Sequence, residues 1–169
     1  MALFREDGPV EDPWIRLADD QAVPADGPVL VGFLRWREAR AALLARRGPV
    51  GVALANTDPV EALGSDTDRL DLVVLHFPKF NDGRAYSQAR LLRGRMGYGG
   101  ELRAKGGVLR DQLPFMLRCG FDSFESEQPG FAEALAGARS LFSVVYQPAE
   151  DGRLPASLLR LRTSAPVRT

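Results

Sequence analysis

The run Leu72-Val73-Val74-Leu75-His76-Phe77 constrains the fold more than any other segment. Only His76 is polar, so the run has no polar face to turn to water. A stretch this short, ended by Pro78 and apolar on both faces, is expected of a central parallel strand covered by helices on each side. Parallel strands require crossovers, and the flanking sequence supplies them. Val29–Val31, Val50–Leu54, Glu101–Ala104, Phe121–Glu125 and Leu141–Tyr146 read as further strands. Between them, Phe33–Arg47 carries Leu34, Ala41, Leu44 and Ala45 at helical spacing, and Asp58-Pro59 opens a short helix. Arg84–Arg95 places Ala85, Ala89, Leu92 and Met96 on one face; a helix opened by Asp111 holds Leu113–Leu117, and Phe131–Ala138 is a last helix.

This alternation predicts an α/β fold: a mainly parallel sheet of about five or six strands with helices packed on it. An open sheet is the first expectation and a partial β/α barrel the alternative, because a complete eight-stranded barrel takes ~250 residues and this chain has 169. Residues 1–28 read as an irregular N-terminal segment with one short strand at Trp14–Leu17. Residues 29–150 form a single α/β domain, and 151–169 a C-terminal tail with a helical turn at Ala156–Leu161.

Composition removes several functional classes. The chain has one cysteine and one histidine, so neither an internal disulfide nor a Cys/His zinc cluster nor a Cys-x-x-Cys redox pair can form. No cofactor or metal is expected. No apolar run approaches the ~20 residues that span a bilayer, and Met1–Asp7 lacks the pattern of a signal peptide. A reducing cytoplasm is the expected location, with no membrane contact. The 22 basic residues cancel the 22 acidic ones, which argues against nucleic-acid binding. Charge is nevertheless uneven: the balance is −5 over residues 1–75, +6 over 76–118 and −1 thereafter.

The basic middle contains two similar loops. In parallel sheets, ligands bind beyond the carboxyl ends of the strands. Those ends carry Pro78-Lys79-Phe80-Asn81-Asp82-Gly83-Arg84 and Lys105-Gly106-Gly107-Val108-Leu109-Arg110-Asp111. Each loop joins glycine, lysine and arginine to a following helix N-terminus, whose first N–H groups attract anions. Lys79 and Lys105 are the only lysines in the chain. If the two strands are neighbours, Lys79, Arg84, Arg103, Lys105 and Arg110 converge on one rim suited to a phosphate or sulfur oxyanion. The same residues also read as solvated loop charges with turn glycines, and Asp82 and Asp111 as plain helix caps. Neither loop matches a Walker A or Gly-x-Gly-x-x-Gly pattern, so no nucleotide is implied. His76 is a candidate general base or hydrogen-bond donor, or a packed histidine bonded to backbone. Cys119, at a helix C-terminus that disfavours thiolate, reads as a packing residue.

The stretch Leu75-His76-Phe77-Pro78-Lys79-Phe80-Asn81-Asp82-Gly83-Arg84-Ala85-Tyr86-Ser87-Gln88-Ala89-Arg90-Leu91-Leu92-Arg93 resembles the signature of an uncharacterised bacterial family. Gly100–Ala104, Val108–Leu113 and Arg118–Asp122 continue the resemblance, which covers about residues 70–125. The family is a domain of unknown function that carries the label of an oxidoreductase of sulfite reduction. It is encoded beside sulfite reductase and the sulfonucleotide reductase of sulfate assimilation. The resemblance implies one of these reductases as a partner and a sulfur oxyanion as a ligand. It places the ligand-binding residues at Lys79, Asp82, Gly83, Arg84, Tyr86, Ser87, Arg103, Arg110, Asp111 and Gln112; the residues themselves, not the resemblance, make His76 and Asp111 the catalytic candidates. The chain departs from the family pattern at Lys105, Gly107 and Pro114.

Three functions compete on these residues. The first is an accessory protein of sulfate and sulfite reduction that binds a small anion or docks a reductase. The second is an enzyme acting on an anionic metabolite by acid–base chemistry. The third is a non-catalytic interaction protein that uses its basic helix surface.

Overall fold

The computed structural model describes residues 1–142 and 144–163. Its strands are β1 (Ala2–Arg5), β2 (Gly8–Val10), β3 (Ile15–Arg16), β4 (Val29–Gly32), β5 (Val50–Leu54), β6 (Leu72–Phe77), β7 (Glu101–Gly106) and β8 (Ser123–Ser126). Its α-helices are α1 (Phe33–Leu44), α2 (Arg84–Arg90), α3 (Leu113–Arg118), α4 (Phe131–Ala138) and α5 (Ala156–Thr163). A 3₁₀ run at Val60–Arg69 joins β5 to β6, and a π turn at Leu91–Arg95 prolongs α2.

The eight strands form one sheet in the order β2-β1-β8-β7-β6-β5-β4-β3. From β3 to β8 the strands are parallel and lie side by side in chain order; β1 is antiparallel to both of its neighbours, β2 and β8. The sheet is thus mostly parallel, as the alternation predicts, but has more strands than five or six. Winding that never reverses keeps right-handed crossovers on one face. Accordingly α1, α2, α3 and α4 all bury their apolar residues in a single core against Val31, Val52, Val73, Leu75, Phe77, Leu102 and Ala104.

Helices therefore do not cover both faces of β6. The second face is closed by the chain's own beginning. Trp14 and Ala53 pack on Leu30, Leu72 and Val74. A Cβ at Gly51 would lie 3.1 Å from the Trp14 ring, so glycine makes room for the indole. The sheet curls to allow this. Residues 11–14 alone connect its two edge strands, β2 and β3, which limits the edge-to-edge span to about 17 Å. An eight-stranded curl is just wide enough to be filled by side chains.

Charged groups fill the rest of that concave face. Arg103 is wholly buried. Its Nη1 donates to Asp12 Oδ2 at 2.9 Å, and its Nη2 to Glu101 Oε1 at 3.0 Å. Glu101 also accepts from the Ser123 hydroxyl and from Arg5 Nη2, each at 2.5 Å. Arg16, on the edge strand β3, donates to Glu125 on β8 and so bridges the curl. Three arginines face three carboxylates around the buried Arg103, with Arg5, Arg16 and Asp12 at the exposed margin, and the cluster is neutral.

Several local expectations are corrected. The first 28 residues supply three strands rather than an irregular segment. In α1 the buried positions are Phe33, Arg35, Trp36 and Leu43, while Leu34 is exposed. The two large aromatic rings set the buried side and outweigh the smaller residues of the Leu34 face. Asp58 does not cap a helix; its Oδ2 accepts from the Ala55 N–H at 2.7 Å within the loop. The described residues of 141–146 form no strand. The place beside β8 is taken by β1, and among the described residues of this segment Val145 alone makes a bridge, to Pro155. The helical turn expected at Ala156–Leu161 is α5, and residues 164–169 of the tail lie outside the described residues.

The cluster yields a stability prediction. Arg103→Ala strands buried carboxylates and should cost about 3–5 kcal/mol in urea unfolding at neutral pH. Burial raises the Glu101 carboxyl, but the bonds from Ser123 and Arg103 outweigh it and leave its pKa below the ordinary 4.5. The resulting stability is present above 4.5 and fades as pH falls below that value, so the cost of Arg103→Ala should shrink in acid.

Candidate functional site

Strands β6 and β7 pair in parallel with His76 opposite Lys105 and Phe77 opposite Gly106. The loops that follow them are therefore neighbours at one mouth of the curled sheet. Their glycines serve this contact. Gly106 is left-handed, at φ +99°, and a Cβ there would lie 2.9 Å from the His76 ring. A Cβ on Gly107 would lie 2.8 Å from the Phe80 nitrogen. The Gly107 N–H donates to the Phe77 carbonyl at 2.7 Å, and Gln112 Nε2 to the Phe80 carbonyl at 2.8 Å. Backbone meets backbone here, and the close approach that glycine permits is used by the opposite loop.

The five expected cations do not act as one set. Arg84 is neutralised within its own loop: its Nε and Nη2 reach Asp82 at 3.0 and 2.6 Å. Asn56 Nδ2, from the loop after β5, adds a third bond to Asp82 at 2.6 Å. The Arg84 guanidinium and, to a smaller extent, Asn56 hold the Asp82 carboxyl at a pKa of about 2. Arg103 is absent from the rim altogether, because position 103 points into the buried cluster. Arg110 donates to the Pro129 carbonyl at 3.1 Å. With Asp111 and Glu133 it lines a broad groove of about 640 Å³ along α4. Asp111 caps no helix: Arg110–Gln112 is a 3₁₀ turn with no side-chain cap, and its carboxylate is exposed.

The remaining expected positions have local roles. Gly83 precedes α2 as its N-cap. Tyr86 packs edge-on against Phe77 at 5.1 Å and lies 4.9 Å from Phe115, and burial pushes its hydroxyl up to about 12. Ser87 is exposed on α2. Cys119 is buried, and burial raises its thiol to about 11, which suits packing rather than nucleophilic attack.

What the mouth retains is His76, Lys105 and Lys79. His76 and Lys105 line a cavity of about 240 Å³ with Ala53, Leu54, Ala55 and Val74. Among the described residues no carboxylate lines it. Lys105 lies next to Glu125 by continuation of the Ala104–Phe124 pairing, but that carboxylate is engaged by Arg16 and lies 3.6 Å from Arg103. Among the described residues neither lysine makes an ion pair. The sequence offers Gln88, with Tyr86 and Ser87, as a ligand hydrogen-bonder or a solvent-facing residue, and does not single out Asn56; Gln88 is buried and bonds to backbone. Gln88 Nε2 clamps the loop after β5 through the Ala55 and Asp58 carbonyls, at 2.8 Å each. A polar residue within the apolar face of α2 was the available signal for Gln88. Asn56 carries none beyond its place in a turn.

Fold and site together define a one-sided β/α protein with a curled sheet and a basic mouth at the carboxyl ends of its strands. The model of one protein family matches residues 51–157, well over half of the chain, and the chain belongs to that family, described as bacterial protein of unknown function (DUF934). The matched span runs from β5 into α5 and includes both loops of the mouth. No curated protein matches the chain.

The Asp82 clamp can be read by NMR titration. Its carboxyl should stay ionised until pH approaches about 2, and Arg84→Ala should return it toward the ordinary 3.8. The depressed pKa stabilises the fold above pH 3.8, an effect lost as pH falls through about 2. An unchanged titration in the variant would show that Arg84 is not the clamp.

Proposed function

We propose that this protein binds a small oxyanion at the mouth of its curled sheet, as an accessory of sulfate or sulfite reduction. The observation that supports this reading most is the cavity lined by His76 and Lys105, with no carboxylate among the described residues of its wall. An ammonium and an imidazole on adjacent strands give charge-assisted bonds from two directions to one tetrahedral or pyramidal anion. The apolar floor of Ala53 and Val74 lowers the local dielectric and strengthens those bonds. Lys79, on the loop pressed against Gly107, adds positive potential at the entrance.

The resemblance to a family encoded beside sulfite reductase and a sulfonucleotide reductase directs the choice of ligand toward sulfite, sulfate or a sulfate ester. In this reading the protein holds or hands over the anion, and one of those reductases is the partner. Acid–base turnover by a His76–Asp111 pair has less support, because the two residues line different cavities. Arg84 and Asp82 act as the brace of the entrance loop rather than as ligands.

Calorimetry and thermal unfolding with sulfite, sulfate and phosphate test the reading. A bound anion at a hundredfold excess over its Kd stabilises the native state by about 2.7 kcal/mol. Lys105→Ala and His76→Ala should each weaken binding about tenfold. As exposed or half-exposed positions they should shift unfolding by no more than about 0.5 kcal/mol. Absence of heat and of stabilisation with all three anions would remove the ligand half of the proposal.

A further inference from the structure

The segment expected to be a last strand, Leu141–Tyr146, is left outside the sheet, and its apolar residues remain uncovered. Twelve large hydrophobic residues are exposed among the described residues, and seven of them gather here: Phe115, Leu141, Phe142, Val144, Tyr146, Leu154 and Leu158. Phe142, Pro114 and Arg118 line both of two adjoining hollows, of about 260 and 250 Å³, and Phe115, Val144 and Tyr146 continue the second, so four of the seven share one surface. Leu141 borders it beside Pro114 and Ala138, and the bridge between Val145 and Pro155 brings the segment of Leu154 close. Isolated exposed hydrophobic residues are ordinary, but a contiguous patch of this kind marks an interface.

We propose that this face is a two-fold interface between two copies of the chain. Three arguments select a second copy as its occupant. The first is area. With each aromatic ring worth 150–250 Å² when buried, the exposed parts of Phe115, Leu141, Phe142, Val144 and Tyr146 amount to roughly 600 Å², most of the about 800 Å² per partner in a standard stable interface. The second is charge. Arg118 is paired with Asp151 at 3.1 Å and Arg139 with Glu6 at 3.0 Å, so these border charges are satisfied within the chain. What is left to recognise is apolar surface, which is self-complementary in charge. The third is shape. Tyr146 is 85% exposed and projects beside a hollow lined by Phe115 and Phe142. Two-fold symmetry sets that knob against the same hollow of the other copy, twice. This interface is independent of the anion site at the mouth.

Light scattering coupled to size exclusion, on the full chain at about 100 μM, should give twice the chain mass of 18.5 kDa. Phe142→Glu with Tyr146→Glu should raise the dimer dissociation constant at least about 100-fold and leave the circular dichroism unchanged, since both residues are exposed. Tyr146→Ser alone should weaken the dimer with the least risk to the fold, and Leu34→Glu, on the exposed side of α1, should leave the mass doubled. A wild-type chain that is monomeric at this concentration overturns the proposal, as does a dimer whose dissociation constant the double variant does not change. A monomer that dimerises only after residues 164–169 are removed also overturns it, and would assign the face to the chain's own terminus.

Discussion

The structure depends on a sheet that winds in one direction. Six parallel strands, β3 to β8, follow one another in space as they do in sequence, so their crossovers all fall on one side. That side acquires a helical layer and a large apolar core. The other side acquires no helix. A half-covered parallel sheet would expose Leu30, Leu72 and Val74 to water, and the chain avoids this by curling the sheet and laying its first residues across the hollow. Trp14 supplies the apolar part of that cover. Arg16, Asp12 and Arg103 supply the polar part and tie strands that are distant in the sheet. A buried ion cluster is weak evidence of net stability, because desolvation offsets much of the attraction. Its stronger effect is to make the curl specific: the three arginines and three carboxylates are satisfied together only when β3 comes round to β8.

The same curl decides what the mouth can offer a ligand. Two glycine loops are brought edge to edge, and their glycines are consumed in packing on one another. Of the cations that an extended rim would have gathered, Arg103 is drawn into the interior and Arg84 is held by Asp82. Lys105 and His76 are left at the end of the concave face beside a small, mainly apolar hollow. The hollow is small, and a ligand there would be small.

Local structure was legible wherever a segment's own residues settle its state. Val50–Leu54, Leu72–Phe77 and Phe131–Ala138 have the ends that their apolar patterns give. Ala85, Ala89 and Leu92 face the core as their spacing indicates. Misreadings arose where a partner distant in sequence decides. Leu141–Tyr146 has the apolar content of a strand, but β1 already occupies the sheet position beside β8. Gly8–Val10 holds glycine and proline and has little strand character alone, yet pairing with β1 makes it one. Arg103 looks like any arginine near a loop, and only the register with Val74 and Ser123 turns it inward.

The sequence by itself determined the class of fold, the alternation of strands and helices, and the two basic loops that follow strands, because these follow from short-range periodicity, turn residues and composition. Tertiary structure alone decided the one-sided layering, the curl, the neutral cluster within it, and which of the basic residues stay unpaired. Those outcomes rest on contacts between residues tens of positions apart, such as Arg16 with Glu125 and Asn56 with Asp82, where charge is cancelled by geometry that no local pattern encodes.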